Sequence, residues 1–369
     1  MKIGILRNPL GIGGAELSLL DIAINLKKMG HNVWMHFDPG DTASMRQFNK
    51  HGNLKVRYGR QTDFIFNNKN IINEKWAIRQ LSDTDVVFVI HRHLFSKPLA
   101  QAVNNVSKKI VYAPGKNSHH IYGKYDGIDG HGQLIKNIKY IIFNSKYTLN
   151  RHQSINYPAR YKKSFRHVHP PIHLSYYKER FNNMNRQNIR RRLGFESEVF
   201  HIGIIGRLIP SKEPLQAINI ARQFKKLGIP FRLHFIGDGS LGKRVREKIA
   251  AEKLNSCIKV WGMLNDPLEH IVALDAVLHL CKHESLSRAM REAMLMRRPI
   301  IAFNGAGNVE LLHHSECKKI MFKNNNEVSN ILKYLANNIK ARKRLGNLSF
   351  NNIIKMERNA VKHLGELIK

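Results

Sequence analysis

Two cations, Arg207 and Lys212, follow the apolar run His201 to Ile205 in the stretch Gly206-Arg207-Leu208-Ile209-Pro210-Ser211-Lys212. If that run is a strand, both sit on the loop at its carboxyl end. Arginine grips phosphate oxygens in a planar fork and lysine supplies a compact charge, so the pair suits a diphosphate whose negative charge grows as it leaves. Farther on, Glu284 and Glu292 stand eight positions apart, one after the run Ala276 to Cys281 and the other inside a helical stretch, Arg288 to Arg297. Two such acceptors can hold hydroxyls on two parts of one ligand, such as a sugar and a ribose. The turn Asn304-Gly305-Ala306-Gly307-Asn308 then leads into a helix near Val309-Glu310. Glycines there let backbone amides approach a phosphate at a helix N-terminus. Taken singly, each feature also fits ordinary surface charge or a tight turn.

The elements that must position these groups alternate along the whole chain. Lys2 to Leu6, Val33 to Phe37, Val86 to Ile90, Lys109 to Tyr112 and Tyr140 to Asn144 read as strands in the first half. His201 to Ile205, Arg232 to Ile236, Ile258 to Trp261, Ala276 to Cys281 and Pro299 to Phe303 do so in the second. Amphipathic stretches lie between them; Ala15 to Met29 is one, with Leu17, Leu20 and Ile24 on its period and Gly30 ending it. This alternation predicts βα units, parallel sheets, and thus an α/β protein of two doubly wound domains. Such sheets bind ligands beyond the carboxyl ends of their strands, so a cleft faced by both is the expected site. The expected division is 1–168, 169–347 and a terminal segment, 348–369. Pro170-Pro171 makes the connector extended, and the run Arg190-Arg191-Arg192 after it reads as a solvated helix face.

At 369 residues the chain is of two-domain size. Three cysteines, Cys257, Cys281 and Cys317, form neither a disulfide framework nor a zinc-like spacing, which suits a reducing compartment. Met1-Lys2 runs straight into a strand-like stretch, so no signal peptide is read, and apolar runs stay far below the roughly 20 residues of a bilayer span. The net charge of +34 is spread over both halves and favours anionic partners: phosphates, anionic lipid or nucleic acid. No nucleic-acid recognition motif accompanies it. A cytoplasmic enzyme, attached peripherally to the inner face of an anionic membrane, is the expectation.

Together these motifs resemble the family 4 glycosyltransferases, also called glycosyltransferase group 1. Glu284, then Glu292-Ala293-Met294, the Pro299-led strand and the turn Gly305 to Glu310 match its signature in order. Gly206-Arg207-Leu208 with Lys212, Ile236-Gly237-Asp238-Gly239, Gly13-Gly14-Ala15-Glu16 and the linker Pro170-Pro171-Ile172 match its other landmarks. The resemblance implies a GT-B fold and metal-independent transfer, with retention of anomeric configuration, from a nucleoside diphosphate sugar to a glycan, lipid-linked or lipopolysaccharide-type acceptor. No cofactor is implied beyond the donor substrate. Arg207 and Lys212 would bind the diphosphate, Glu284 the donor-sugar hydroxyls and Glu292 the ribose. Gly13 and Gly14 would approach the phosphates from the first domain, and Gly305 and Glu310 would complete the donor site.

Three departures mark this chain. Ser285-Leu286-Ser287 replaces the usual Gly-Phe-Gly, and Arg297 stands where the family commonly has Gly. The acceptor-side histidine has several candidates, His91, His93, His119 and His120. His91 is preferred because it follows directly on Val86 to Ile90. Two other readings stay open on the sequence: a GT-B nucleotide-sugar epimerase, and an inactive GT-B-like scaffold binding through its basic surface.

Overall fold

The computed structural model describes residues 1–6, 14–36, 74–90, 97–113, 137–154 and 162–369. Gly13, His91, His93, His119 and His120 lie outside the described residues. The chain divides into two compact units: one of Met1–His173 with Glu357–Lys369, the other Leu174–Met356.

In the first unit, β1 (Lys2–Leu6), β2 (Asn32–His36), β3 (Val86–Ile90), β4 (Lys108–Ala113), β5 (Ile138–Phe143) and β6 (Phe165–His167) form one sheet. Its order is β2-β1-β3-β4-β5-β6 and every pairing is parallel. Helices α1 (Gly14–Lys28), α2 (Glu74–Leu81), α3 (Lys97–Asn105) and α4 (Lys146–Gln153) alternate with the strands. Ile3, Ile5, Phe88 and Ile110 are sealed from solvent, as strands clad on both faces require. The sheet needs a bare backbone at Gly4, where a Cβ would come within 2.4 Å of the Trp34 ring.

The second unit repeats the plan with β7 (Phe200–Ile205), β8 (Phe231–Ile236), β9 (Ile258–Gly262), β10 (Ala276–His279), β11 (Ile300–Phe303) and β12 (Met321–Phe322). Their order is β12-β11-β10-β7-β8-β9, again with parallel pairings. Its helices are α5 (Leu174–Asn182), α6 (Arg186–Leu193), α7 (Pro214–Lys225), α8 (Gly242–Ala251), α9 (Leu268–Ala273), α10 (Arg288–Leu295), α11 (Asn308–Leu311), α12 (Ser315–Lys318) and α13 (Asn326–Ala336). From β7 the chain winds outward through β8 and β9, then returns to β7's other side with β10 and continues to β12. The order therefore reverses between β7 and β10, and doubly wound sheets bind ligands beyond the carboxyl ends of their strands at such a switch point.

The last helix, α14 (Ile339–Ile368), begins in the second unit and ends in the first. Leu364, Leu367 and Ile368 join the cluster of Ile3, Ile5 and Leu19. Glu357, 1% exposed, accepts from the backbone amide of Ile172 at 2.6 Å. Among the described residues no helix is long and apolar enough to cross a membrane.

The arginine run is not uniformly solvated. Arg191 and Arg192 are exposed, but Arg190 turns inward and, with Arg186, holds Asp275. Both guanidiniums also donate to the carbonyl of Ala273 at the end of α9. The carbonyls that a helix leaves free at its C-terminus need such donors.

Candidate functional site

The loop after β7 is shaped by close backbone approach. Gly206 has φ 129° and Gly237, after β8, has φ 137°. A Cβ on Gly237 would lie 2.1 Å from the carbonyl oxygen of Gly206, so the two loops touch through bare backbone. Leu208 donates to the carbonyl of Asp238 at 3.0 Å and fixes the loop's course. Arg207 projects from it exposed, with no ion pair among the described residues. A single 3-10 turn, Pro210–Lys212, then presents Lys212, and Glu213 at φ 52° reverses the chain into α7 with Pro214 in its first turn.

Lys212 and Glu284 meet across the switch point: the Lys212 Nζ is hydrogen-bonded and ion-paired to Oε2 of Glu284. Beside them Lys282 approaches Glu213 at 3.5 Å, a second link between the loops after β7 and β10. His279 Nε2 lies 3.4 Å from the same Glu284 oxygen. Burial favours the neutral form of Glu284, but His279 and the Lys212 ammonium outweigh it and hold the carboxyl far below the usual range. Burial also lowers the pKa of His279, with Glu284 opposing it in part. Glu284 is therefore an ionised acceptor at neutral pH.

The glycine turn lies against this carboxylate. Gly307 donates its amide to the Glu284 carbonyl at 2.9 Å, and a Cβ there would fall 1.5 Å from the Ser285 oxygen. Only glycine fits that contact. Asn308, fully buried, donates to the carbonyls of Cys281 and Phe303, each at 3.1 Å, and so ties the ends of β10 and β11 together. Gly305 and the half-buried Glu310 flank this staple, with Glu310 in the short helix α11.

Ser287 caps α10 by accepting from the amide of Met290. The helix carries Arg288 and Glu292 one turn apart; Arg288 Nε donates to Glu292 Oε1 at 2.9 Å. Tyr177, from α5, donates its hydroxyl to the same oxygen at 3.0 Å, while Arg288 donates to the Tyr177 hydroxyl at 2.8 Å. No hydrogen bond within the described residues engages Oε2.

The structure thus joins Lys212, Glu284 and the Gly305–Glu310 turn, keeps Arg207 on the Lys212 loop, and sets Glu292 on the helix that leaves the Glu284 loop. Gly14 opens α1 in the first unit. Sequence reading missed His279, Asn308, Tyr177 and Arg288. Arg288 carried a legible signal, its spacing of four from Glu292. Tyr177 carried none, being remote in sequence.

Two doubly wound parallel sheets define the GT-B class of fold, and the solved structures that resemble this chain share it. Residues 185–351, which carry Arg207, Lys212, Glu284 and Glu292, match the family model for glycosyl transferases group 1. The chain is 25% identical over 103 residues to the poly(ribitol-phosphate) alpha-N-acetylglucosaminyltransferase of Staphylococcus aureus (strain COL). That match takes in 28% of this chain and only 21% of that relative's length. Anabaena HepE in complex with UDP-glucose superposes with TM-score 0.72 at 16% identity, covering 99% of this chain and 100% of that one. A Rickettsia africae glycosyltransferase gives 0.72 at 17%, covering 100% and 98%. A variant of S. aureus TarM with Fondaparinux, alpha-GlcNAc-glycerol and UDP gives 0.70 at 13%, covering 100% and 99%.

Proposed function

We propose that this chain is a retaining, metal-independent glycosyltransferase that takes a sugar from a nucleoside diphosphate donor bound in the second unit. The observation that carries the reading is the meeting of Lys212 and Glu284 at the switch point of the second sheet. A cation and an ionised acceptor are there set side by side, one suited to a diphosphate and the other to sugar hydroxyls.

In this reading Arg207 and Lys212 bind the diphosphate and stabilise the charge that builds on it as the glycosidic bond breaks. Glu284, kept ionised, accepts hydrogen bonds from the donor sugar. Glu292 turns its open Oε2 toward the ribose hydroxyls, while Tyr177 and Arg288 hold Oε1. Backbone amides of the Gly305–Gly307 turn face the phosphates. The acceptor is a glycan, a lipid-linked sugar or a lipopolysaccharide-type chain; the protein works in the cytoplasm, with its charge of +34 drawing it to an anionic membrane face.

A thermal-shift screen of nucleotide sugars, followed by assay of nucleoside diphosphate release with excess chelator, tests this reading. A ligand that binds only the folded chain raises its midpoint. The correct donor stabilises the chain and turns over with chelator present, and the product keeps the donor's anomeric configuration. No shift and no release with any nucleotide sugar would refute it.

A further inference from the structure

Three donor atoms of three chemical kinds converge where β10 ends. The imidazole of His279, the thiol of Cys281 and the carboxylate of Glu284 each place a ligand atom within 4.8 Å of the other two. His279 and Cys281 are 6% and 4% exposed, and the Glu284 side chain opens to solvent beside Lys212. His279 Nε2 is sealed from water, makes no hydrogen bond, and points a ring nitrogen to within 3.4 Å of Glu284 Oε2. A buried polar atom left in that condition calls for an explanation.

We propose that His279, Cys281 and Glu284 form an inhibitory site for a thiophilic divalent cation such as zinc, which competes with Lys212 for the Glu284 carboxylate. A nitrogen, sulfur and oxygen set selects zinc over magnesium or calcium, which want oxygen alone. Tetrahedral zinc at about 2.0–2.3 Å from each atom sets its ligand atoms about 3.3–3.6 Å apart. The His279–Glu284 pair already has that spacing, at 3.4 Å, and the thiol lies within 4.8 Å of both. On binding, the Cys281 S–H bond breaks and its proton passes to solvent, while the thiolate, Nε2 and a carboxylate oxygen give electron pairs to the metal. Three protein ligands leave the fourth position to water. Lys212, on a flexible stem, gives up its partner, and Glu284 is then lost to a donor, with the metal's positive charge set beside it. That last consequence rests on the function proposed above; the metal site does not.

The test is titration of the full chain with cobalt(II), which reports a thiolate ligand by a near-ultraviolet charge-transfer band. One equivalent should give that band with tetrahedral visible absorption, and zinc should abolish both by displacement. Cys281→Ser should lose the band and weaken metal binding by roughly 100-fold or more, since even outer partners of a metal site cost 10–100-fold. His279→Ala should weaken binding similarly, and the double variant Cys257→Ser, Cys317→Ser should keep the band. Circular dichroism confirms that each variant is folded. Zinc should also suppress the thermal shift given by uridine diphosphate in wild type but not in Cys281→Ser. An absent band, or one that survives in Cys281→Ser, overturns the site. A band without any nucleotide binding would leave the metal site standing and remove the donor-site reading instead.

Discussion

The hydroxyl of Tyr177 donates to Oε1 of Glu292 at 3.0 Å, across a separation of 115 positions. Arg288 closes the triangle by donating to both. One oxygen of Glu292 is thereby committed and the carboxylate plane is set, while no hydrogen bond among the described residues engages the other oxygen, the one proposed to meet the ribose. A hydrogen bond to a charged group is worth about 1.5 kcal/mol net or more, so Tyr177→Phe should raise the donor KM about tenfold and leave kcat almost unchanged. Steady-state kinetics on the ribose donor and its 2′-deoxy analogue check it. The penalty should shrink on the deoxy donor, as coupled groups require; an equal penalty on both would place Tyr177's effect elsewhere.

In the proposed function Lys212 holds charge that grows in the transition state, and interactions of that kind act on turnover. Lys212→Ala should lower kcat roughly 100-fold or more, by analogy with loss of one preorganised donor. Glu292→Ala should instead mainly raise KM, because ribose undergoes no chemistry. Comparing both variants by rapid-quench and steady-state kinetics separates these outcomes. Near-normal turnover in Lys212→Ala would remove the diphosphate assignment.

Arg297 tests backbone strain against side-chain contact. Its φ is 55°, a left-handed conformation that costs a non-glycine residue about 1–2 kcal/mol. The guanidinium stacks over Phe350 at 4.3 Å and Phe181 at 5.4 Å, and donates to Asn347 at 3.0 Å. Arg297→Ala loses these contacts and keeps the strain, whereas Arg297→Gly loses them and relieves it. Urea denaturation should therefore find the Gly variant about 1 kcal/mol more stable than the Ala variant. Equal stabilities would show that the strain is negligible.

The charge of +34 predicts binding to vesicles containing anionic lipid at low salt. Each Lys or Arg near such a surface contributes about 1 kcal/mol, and salt screens it within a Debye length. Sedimentation with neutral and anionic vesicles measures this. Absence of binding to the anionic set would rule out a membrane role for the charge.

Ten of the twelve described strands were legible as short apolar runs whose limits moved by only one or two residues, whereas β6 and β12, Phe165–His167 and Met321–Phe322, are too short to carry a pattern of their own and went unread. Ala276 to Cys281 is an instance: the ladder stops at His279, where β11 pairing ends, and the next two residues lead into the Glu284 loop. Arg207, Lys212, Glu284 and Glu292 were legible because local spacing put them at strand ends or in the following helix. What joins them was not. Tyr177 and Asn308 act through contacts fixed by packing, and the inward turn of Arg190 answers to carbonyls on α9 that no local pattern in its own helix reveals.

Sensitivity to acid follows from a chain of hydrogen bonds whose direction is forced. Trp261 Nε1 can only donate, and it donates to His234 Nδ1 at 3.0 Å. The neutral His234 must then carry its proton on Nε2, which faces His201 Nδ1 at 2.9 Å. His201 in turn keeps its proton on Nε2 and gives it to the carbonyl of Glu196 at 2.9 Å. Phe195 stacks on His234 with ring centroids 4.4 Å apart, and both imidazoles are buried. A further proton on either Nδ1 would oppose a donor. Burial first, and neighbouring positive groups second, lower His234 to about 2; burial, with partial compensation from the Glu196 carbonyl, lowers His201 to about 4. Below pH 6.5 the unfolded chain takes up protons on these rings while the folded chain refuses them. Their contribution is therefore fully present above about pH 6.5 and is lost as pH falls toward 4 and below. Each unit of pH costs about 1.4 kcal/mol per ring in that window, or about 3 kcal/mol each by pH 4. Denaturation midpoints from pH 7 to 4.5 should fall steeply, and less so in a folded His201→Gln, His234→Gln variant. Nitrogen NMR of the rings supplies the direct check: both should remain neutral, each protonated on Nε2, through pH 5. A ring that titrates near pH 6.5 in the folded protein would break the chain at that residue.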